Sequence, residues 1–108
     1  MLRFGLQEAV IERINGVFRG FPGIDEVILY GSRAKENFKP GSDIDLTVKG
    51  EPIDLSTLYK VERELDDLML PYKIDLSIWR QIDNPDLLVH IQRVGVVFYS
   101  RRTTNSAC

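Results

Sequence analysis

A single α/β (α+β) domain, a small sheet covered by helices, follows from three features of the sequence. Helical apolar spacing alternates with short strand-like runs along the chain, and two of those runs alternate strictly between apolar and polar residues. A length of 108 residues leaves room for one core and no second domain, with 44% hydrophobic and 28% charged residues as in ordinary globular proteins. Internal repeats and low-complexity runs are absent from the sequence.

From the start, Leu6, Val10, Ile14 and Val17 or Phe18 recur at helical spacing with charged residues between them, and Gly20 with Pro22-Gly23 stops the pattern. This predicts an amphipathic helix that serves as scaffold on the sheet. Val27-Ile28-Leu29-Tyr30 reads as a strand ended by Gly31, and Ser32 is placed to cap a short helix through Arg33-Ala34-Lys35-Glu36. After a loop containing Pro40-Gly41, a strand is expected over 43–49. Asp54 or Ser56 caps a second amphipathic helix, in which Leu58, Val61, Leu65 and Leu68 share a face, and Pro71 ends it. Lys73 to Trp79 alternates as a further strand. Asn84-Pro85 is a cap and first-turn pair for a last helix closed by Gly95, before a short strand over Val96-Val97-Phe98-Tyr99. The tail from Arg101 to Cys108 is polar and expected to fray.

The chemistry concentrates between Gly31 and Asp45, GSRAKENFKPGSDID. A glycine after a strand lets an anion approach the backbone with no Cβ in the way, and a helix opening behind it would offer unpaired N–H groups to a phosphate. In Asp43-Ile44-Asp45-Leu46-Thr47-Val48, strict alternation sends both acids and Thr47 to one face and the apolar residues to the other. Two residues of strand separate the acids by about 7 Å, within reach of shared hard cations such as magnesium, which takes oxygen ligands from one or two carboxylates and the rest from water and phosphate. Asp75 is a third acid near the start of the later strand. An alternating strand with a solvated acidic face is common on its own; the turn and the acidic pair together supply both halves of a metal-nucleotide site.

Other readings fall away on residues. No G-x-G-x-x-G follows a strand and no G-x-x-x-x-G-K-[ST] occurs. Fourteen basic against sixteen acidic residues give a net charge of −2, which argues against direct gripping of nucleic acid. One cysteine, Cys108, allows no internal disulfide, and no apolar run near 18 residues or signal peptide is seen, so a cytoplasmic protein that neither spans nor enters a membrane is expected. His90 reads as a packed or surface side chain rather than a ligand. Trp79 and Tyr72 can stack on a base or simply pack.

Gly31-Ser32, ten residues, Asp43-x-Asp45 and a later strand acid at Asp75 resemble the signature of the DNA polymerase β-type nucleotidyltransferase superfamily, in particular its minimal nucleotidyltransferases. The resemblance covers nearly the whole chain. It implies the nucleotidyltransferase fold, a small mixed sheet flanked by helices, as one domain over residues 1–100. It implies that Asp43, Asp45 and Asp75 are catalytic and hold two Mg2+ ions, with Asp75 able to take the proton of the attacking hydroxyl. Gly31, Ser32 and Arg33 would hold the triphosphate of ATP or another nucleoside triphosphate. Lys35 and Glu36 stand where many members have arginine and glycine.

The same resemblance implies a partner, a helical HEPN-domain protein in a toxin-antitoxin pair, whose tyrosine receives AMP; a hetero-oligomer is expected because so small a domain has little left to enclose an acceptor. Two other classes stay open: a catalytically silent module that neutralises or scaffolds a helical partner, and a transferase acting on a small molecule.

Overall fold

The computed structural model describes residues 2–39, 41–50 and 53–101. Its central element is a four-stranded mixed sheet in the order β5-β4-β3-β6. These strands are β3 (Ile24–Tyr30), β4 (Ile44–Gly50), β5 (Ile74–Ile78) and β6 (Val96–Ser100), preceded by a two-stranded ribbon of β1 (Leu2–Arg3) and β2 (Leu6–Gln7). Four helices alternate with the strands: α1 (Glu8–Arg19), α2 (Ser32–Lys35), α3 (Leu55–Asp66) and α4 (Pro85–Val94). The expected order of elements therefore holds, with the N-terminal ribbon as an addition.

The strict alternation in the sequence becomes a two-faced sheet. Val27 pairs with Val48 and Leu29 with Leu46, and this face meets Ile11, Ile14, Val17 and Phe18 of α1 and Leu58, Val61 and Leu65 of α3 in one core. On the other face α4 packs on β3, where Ile28 lies close under Gly95. That covering explains why Thr47, expected on a solvated face, is fully buried. The end of this face near Asp45 stays partly open. Asp54 caps α3 by accepting from the Thr57 N–H at 2.9 Å, and Asn84 caps α4 by accepting from Asp86 and Leu87, as their positions predict.

Several expectations need correction. Leu6 belongs to β2 rather than to the first helix, because Phe4 and Gly5 both take positive φ (60° and 75°) and turn the chain back on itself. A Cβ on Gly5 would stand 2.3 Å from the Phe38 ring, so the turn also needs glycine for space. Ser32 is the first residue of α2 and not its cap, which is Gly31. Trp79 leaves the strand for a 3₁₀ turn and carries the Lys49 ammonium 4.7 Å from its ring centre. Arg101, placed in the fraying tail, is pinned by an ion pair to Asp25 at 3.0 Å; the remainder of that tail, with Cys108, lies outside the described residues. Among the described residues no helix is long and apolar enough to cross a membrane.

Glu36 ends α2 with φ 63° and ψ 23°, the left-handed conformation that costs an L-residue roughly 1 kcal/mol and glycine almost nothing. Glu36→Gly should leave stability unchanged or raise it by up to about 1 kcal/mol, the relief of strain being partly offset by the freer unfolded chain; a lowered urea midpoint would contradict this.

Candidate functional site

The site is set by registry. β4 and β5 run parallel with Asp45 opposite Asp75, and β3 runs antiparallel to β4 with Tyr30 opposite Asp45. Tyr30, Asp45 and Asp75 therefore form a row across three strands on the face away from the α1/α3 core, at the usual strand spacing of about 4.8 Å. Asp43 lies just before β4, two residues from Asp45, and its charge acts on the Asp45 carboxyl. Asp45 is half-buried, whereas Asp43 and Asp75 are exposed.

Gly31 closes the row from one side. Its backbone sits at φ 76°, and a Cβ there would stand 2.3 Å from Asp45 Oδ2, so only glycine lets the turn and the carboxylate lie against each other. Ser32 follows at once as the first residue of α2, half-buried. The helix behind it is a single turn of four residues, too short to supply much of a dipole, so any anion here would be held by the turn itself.

Arg33 is placed otherwise than expected. Its side chain is among the most buried in the protein at 1% exposure, and it turns inward. It donates from Nη1 to the Phe4 carbonyl at 2.8 Å and from Nε and Nη2 to the Ser42 carbonyl at 3.1 and 2.8 Å. Phe38 and Tyr72 flank the guanidinium, 5.3 and 5.2 Å from ring centre to Cζ. Burial lowers its pKa from the ordinary arginine value, with Tyr72 and Asp43 opposing that shift. Arg33 thus ties the N-terminal ribbon to the residue preceding Asp43, and Tyr72 is occupied as its cover rather than free to stack on a base.

Two further residues belong to the site. Tyr30, taken as the end of a strand, has its phenol pKa raised by burial first; a hydrogen bond with Ser77 works against this, and Asp45 and Asp75 add to it. His90 reaches over from α4, its Nε2 accepting the Gly31 N–H at 3.3 Å and its ring standing edge-on to Tyr30 at 6.3 Å. Neither role has a local signal, since both depend on which strands and helices become neighbours.

The electrostatics fit a hard cation. Burial, then Asp75 and then Asp43, push the Asp45 carboxyl above the usual carboxylate range, while His90 and Lys73 pull the other way. Concentrated negative charge on oxygen donors suits magnesium-like ions. Among the described residues no three His, Cys, Asp or Glu side chains gather closely enough to enclose an ion unaided. Such an ion draws the rest of its shell from water and phosphate.

A family model described as polymerase beta nucleotidyltransferase matches residues 12–104. The chain belongs to that family. A curated relative from Methanocaldococcus jannaschii, provisionally named a protein adenylyltransferase, is 40% identical over 63 residues, covering 57% of this chain and 63% of the relative. The match thus spans less than two thirds of the relative's length. Among solved structures, a toxin-antitoxin with AMP-PNP superposes with a TM-score of 0.68 at 18% identity, covering 90% of this chain and 78% of the other. A complex of tri-AMPylated Shewanella oneidensis HEPN toxin with MNT antitoxin gives 0.66 at 17% identity, covering 94% and 79%. These likenesses establish the nucleotidyltransferase fold.

Arg33→Lys should cost about 2 kcal/mol of stability, because a single ammonium cannot serve both the Phe4 and Ser42 carbonyls; a residue that only gripped phosphate would lose ligand affinity and leave the urea midpoint unchanged. For Asp45 the sign of the shift matters. A folded-state pKa above the unfolded value means that ionisation destabilises the native protein, so stability falls as pH rises from the unfolded carboxylate value, about 4, through the raised folded one. In chelator at pH 7, Asp45→Asn should therefore melt higher than the wild type, and the gap should close as pH drops below 4. Equal melting curves across that range would contradict it.

Proposed function

We propose that this nucleotidyltransferase domain moves AMP from ATP onto a hydroxyl of a protein partner, a tyrosine of a helical HEPN-domain toxin, and so acts as the antitoxin of the pair. The observation that carries the reading is the registry of Asp45 with Asp75 beside Gly31, which puts paired carboxylates and a Cβ-free turn on one open face. The partner and the nucleotide are supported by the relatives: one named provisionally as a protein adenylyltransferase, one solved with AMP-PNP, and one joined to an AMPylated HEPN toxin.

Each residue then has a task. Asp43, Asp45 and Asp75 would hold divalent ions, and such ions supply the positive charge that phosphoryl transfer needs. Gly31 lets the turn lie directly against the Asp45 carboxylate, and the Ser32 hydroxyl donates to phosphate oxygens. Asp75, exposed where Asp45 is not, is open to an incoming hydroxyl and accepts its proton as the new O–P bond forms. The α–β anhydride bond breaks and pyrophosphate leaves. Arg33 contributes indirectly, by holding the segment before Asp43.

The test is incubation of the protein with Mg2+, α-labelled ATP and the HEPN protein encoded beside it. Label should appear on a partner tyrosine, and Asp45→Asn should reduce it on the order of a hundredfold or more without unfolding the domain. A tight complex that stays unlabelled with every nucleoside triphosphate would instead favour a silent binding module, and label on a small hydroxylated acceptor alone would favour the third class.

A further inference from the structure

His90 stands out among the polar side chains left over from the proposed chemistry, because it is the one α4 sends across to the acidic end of the sheet. Gly31 follows Tyr30, the last β3 residue paired with β4, and the β3–β6 ladder has already ended at Leu29. The Gly31 N–H is thus beyond both ladders, and a backbone donor at the edge of a packed sheet needs an acceptor. His90 Nε2 is that acceptor at 3.3 Å, which requires its lone pair to face Gly31 and its ring proton to sit on Nδ1. The bond links α4 to a turn whose backbone hydrogen bonds, Lys35 N–H to Gly31 O at 3.1 Å and Asn37 N–H to Ser32 O at 3.1 Å, stay within the turn.

On its other side Gly31 meets Asp45, with no room for a Cβ between them. The peptide is therefore held between His90 and the Asp45 carboxylate. α4 is a firm base for this contact, being capped by Asn84, anchored by buried Ile91 and closed onto Ile28 at Gly95.

We infer that His90 is a positioning residue of the transfer site: by accepting the Gly31 N–H it fixes the left-handed turn against Asp45 and so sets the shape of the nucleotide pocket. The inference rests on the proposed nucleotidyl transfer and assigns His90 no contact with the reacting atoms.

Two variants separate its functions. His90→Phe keeps a ring against Tyr30 and loses the acceptor, while His90→Gln keeps an acceptor at similar reach and loses the ring. The expected result is that His90→Phe weakens MgATP binding and raises its KM roughly fivefold, the worth of one hydrogen bond, with kcat little changed. The Gly31 amide proton should shift upfield and exchange faster in the same variant, whereas His90→Gln stays near wild type in all these readouts. His90→Phe matching wild type, or His90→Gln failing as badly as His90→Phe, would reduce His90 to packing and overturn the inference. Wild-type protein that binds no MgATP would sink the nucleotide reading and this one with it. Wild-type protein that binds MgATP but labels no partner, with the His90→Phe defect intact, would fault the acceptor alone and support His90.

Discussion

Parallel pairing of β4 with β5 puts two carboxylates opposite each other, an arrangement that by itself weakens a sheet. The rest of the domain holds it in place. Ile44, Leu46 and Val48 alternate with the acids and are buried against α1 and α3, so sliding β4 by one residue to separate the charges would turn the whole apolar set out of the core. The same residues that drive folding thus oblige Asp45 to face Asp75. Burial first, and then the facing Asp75, raise the Asp45 carboxyl, and a cation would relieve both.

The loop between the turn and the acids is governed from inside by Arg33. Burying a guanidinium is unfavourable unless its donors are used, and here they are given to carbonyls at both ends of the region, with Phe38 and Tyr72 covering the faces. The charge next to the Gly31 turn does mechanical work: it fixes Ser42, and through it the approach to Asp43, against the N-terminal ribbon. Lysine could not do this, which separates a positional need for arginine from a general need for positive charge.

What could be read from the sequence followed local physics. Period-two alternation in 43–48 and 73–79 placed the acids on one face, and cap residues at Asp54 and Asn84 marked where helices start. The N-terminal ribbon escaped because its turn uses Phe4 at positive φ, whereas the recognisable signals for such turns are Asn or Asp before glycine. Phe4 is held there by its ring on Phe98, 6.0 Å away, and by Arg33 on its carbonyl, both contacts of long sequence separation. His90 and Tyr30 escaped for a similar reason: a lone histidine among apolar positions means nothing until α4 is laid across β3. The direction of Arg33 was equally hidden, since a surface phosphate clamp and a buried tie look alike as letters.

The uneven exposure of the three acids bears on where the acceptor comes from. Asp45 is enclosed by Gly31, Tyr30 and the approach of His90, while Asp43 and Asp75 stand in the open. A nucleotide lying along the Gly31 turn would meet the enclosed carboxylate first, leaving Asp75 on the side away from the turn. In the proposed transfer an incoming hydroxyl would arrive from that side, over the β5 edge of the sheet, beyond which no further strand lies among the described residues. An acceptor carried on a folded surface brings its own wall and can exclude water from the reacting phosphate, whereas a small free alcohol would leave this edge wet. In the proposed transfer, then, the open side of the site suits a hydroxyl carried on a folded protein surface better than a small free alcohol.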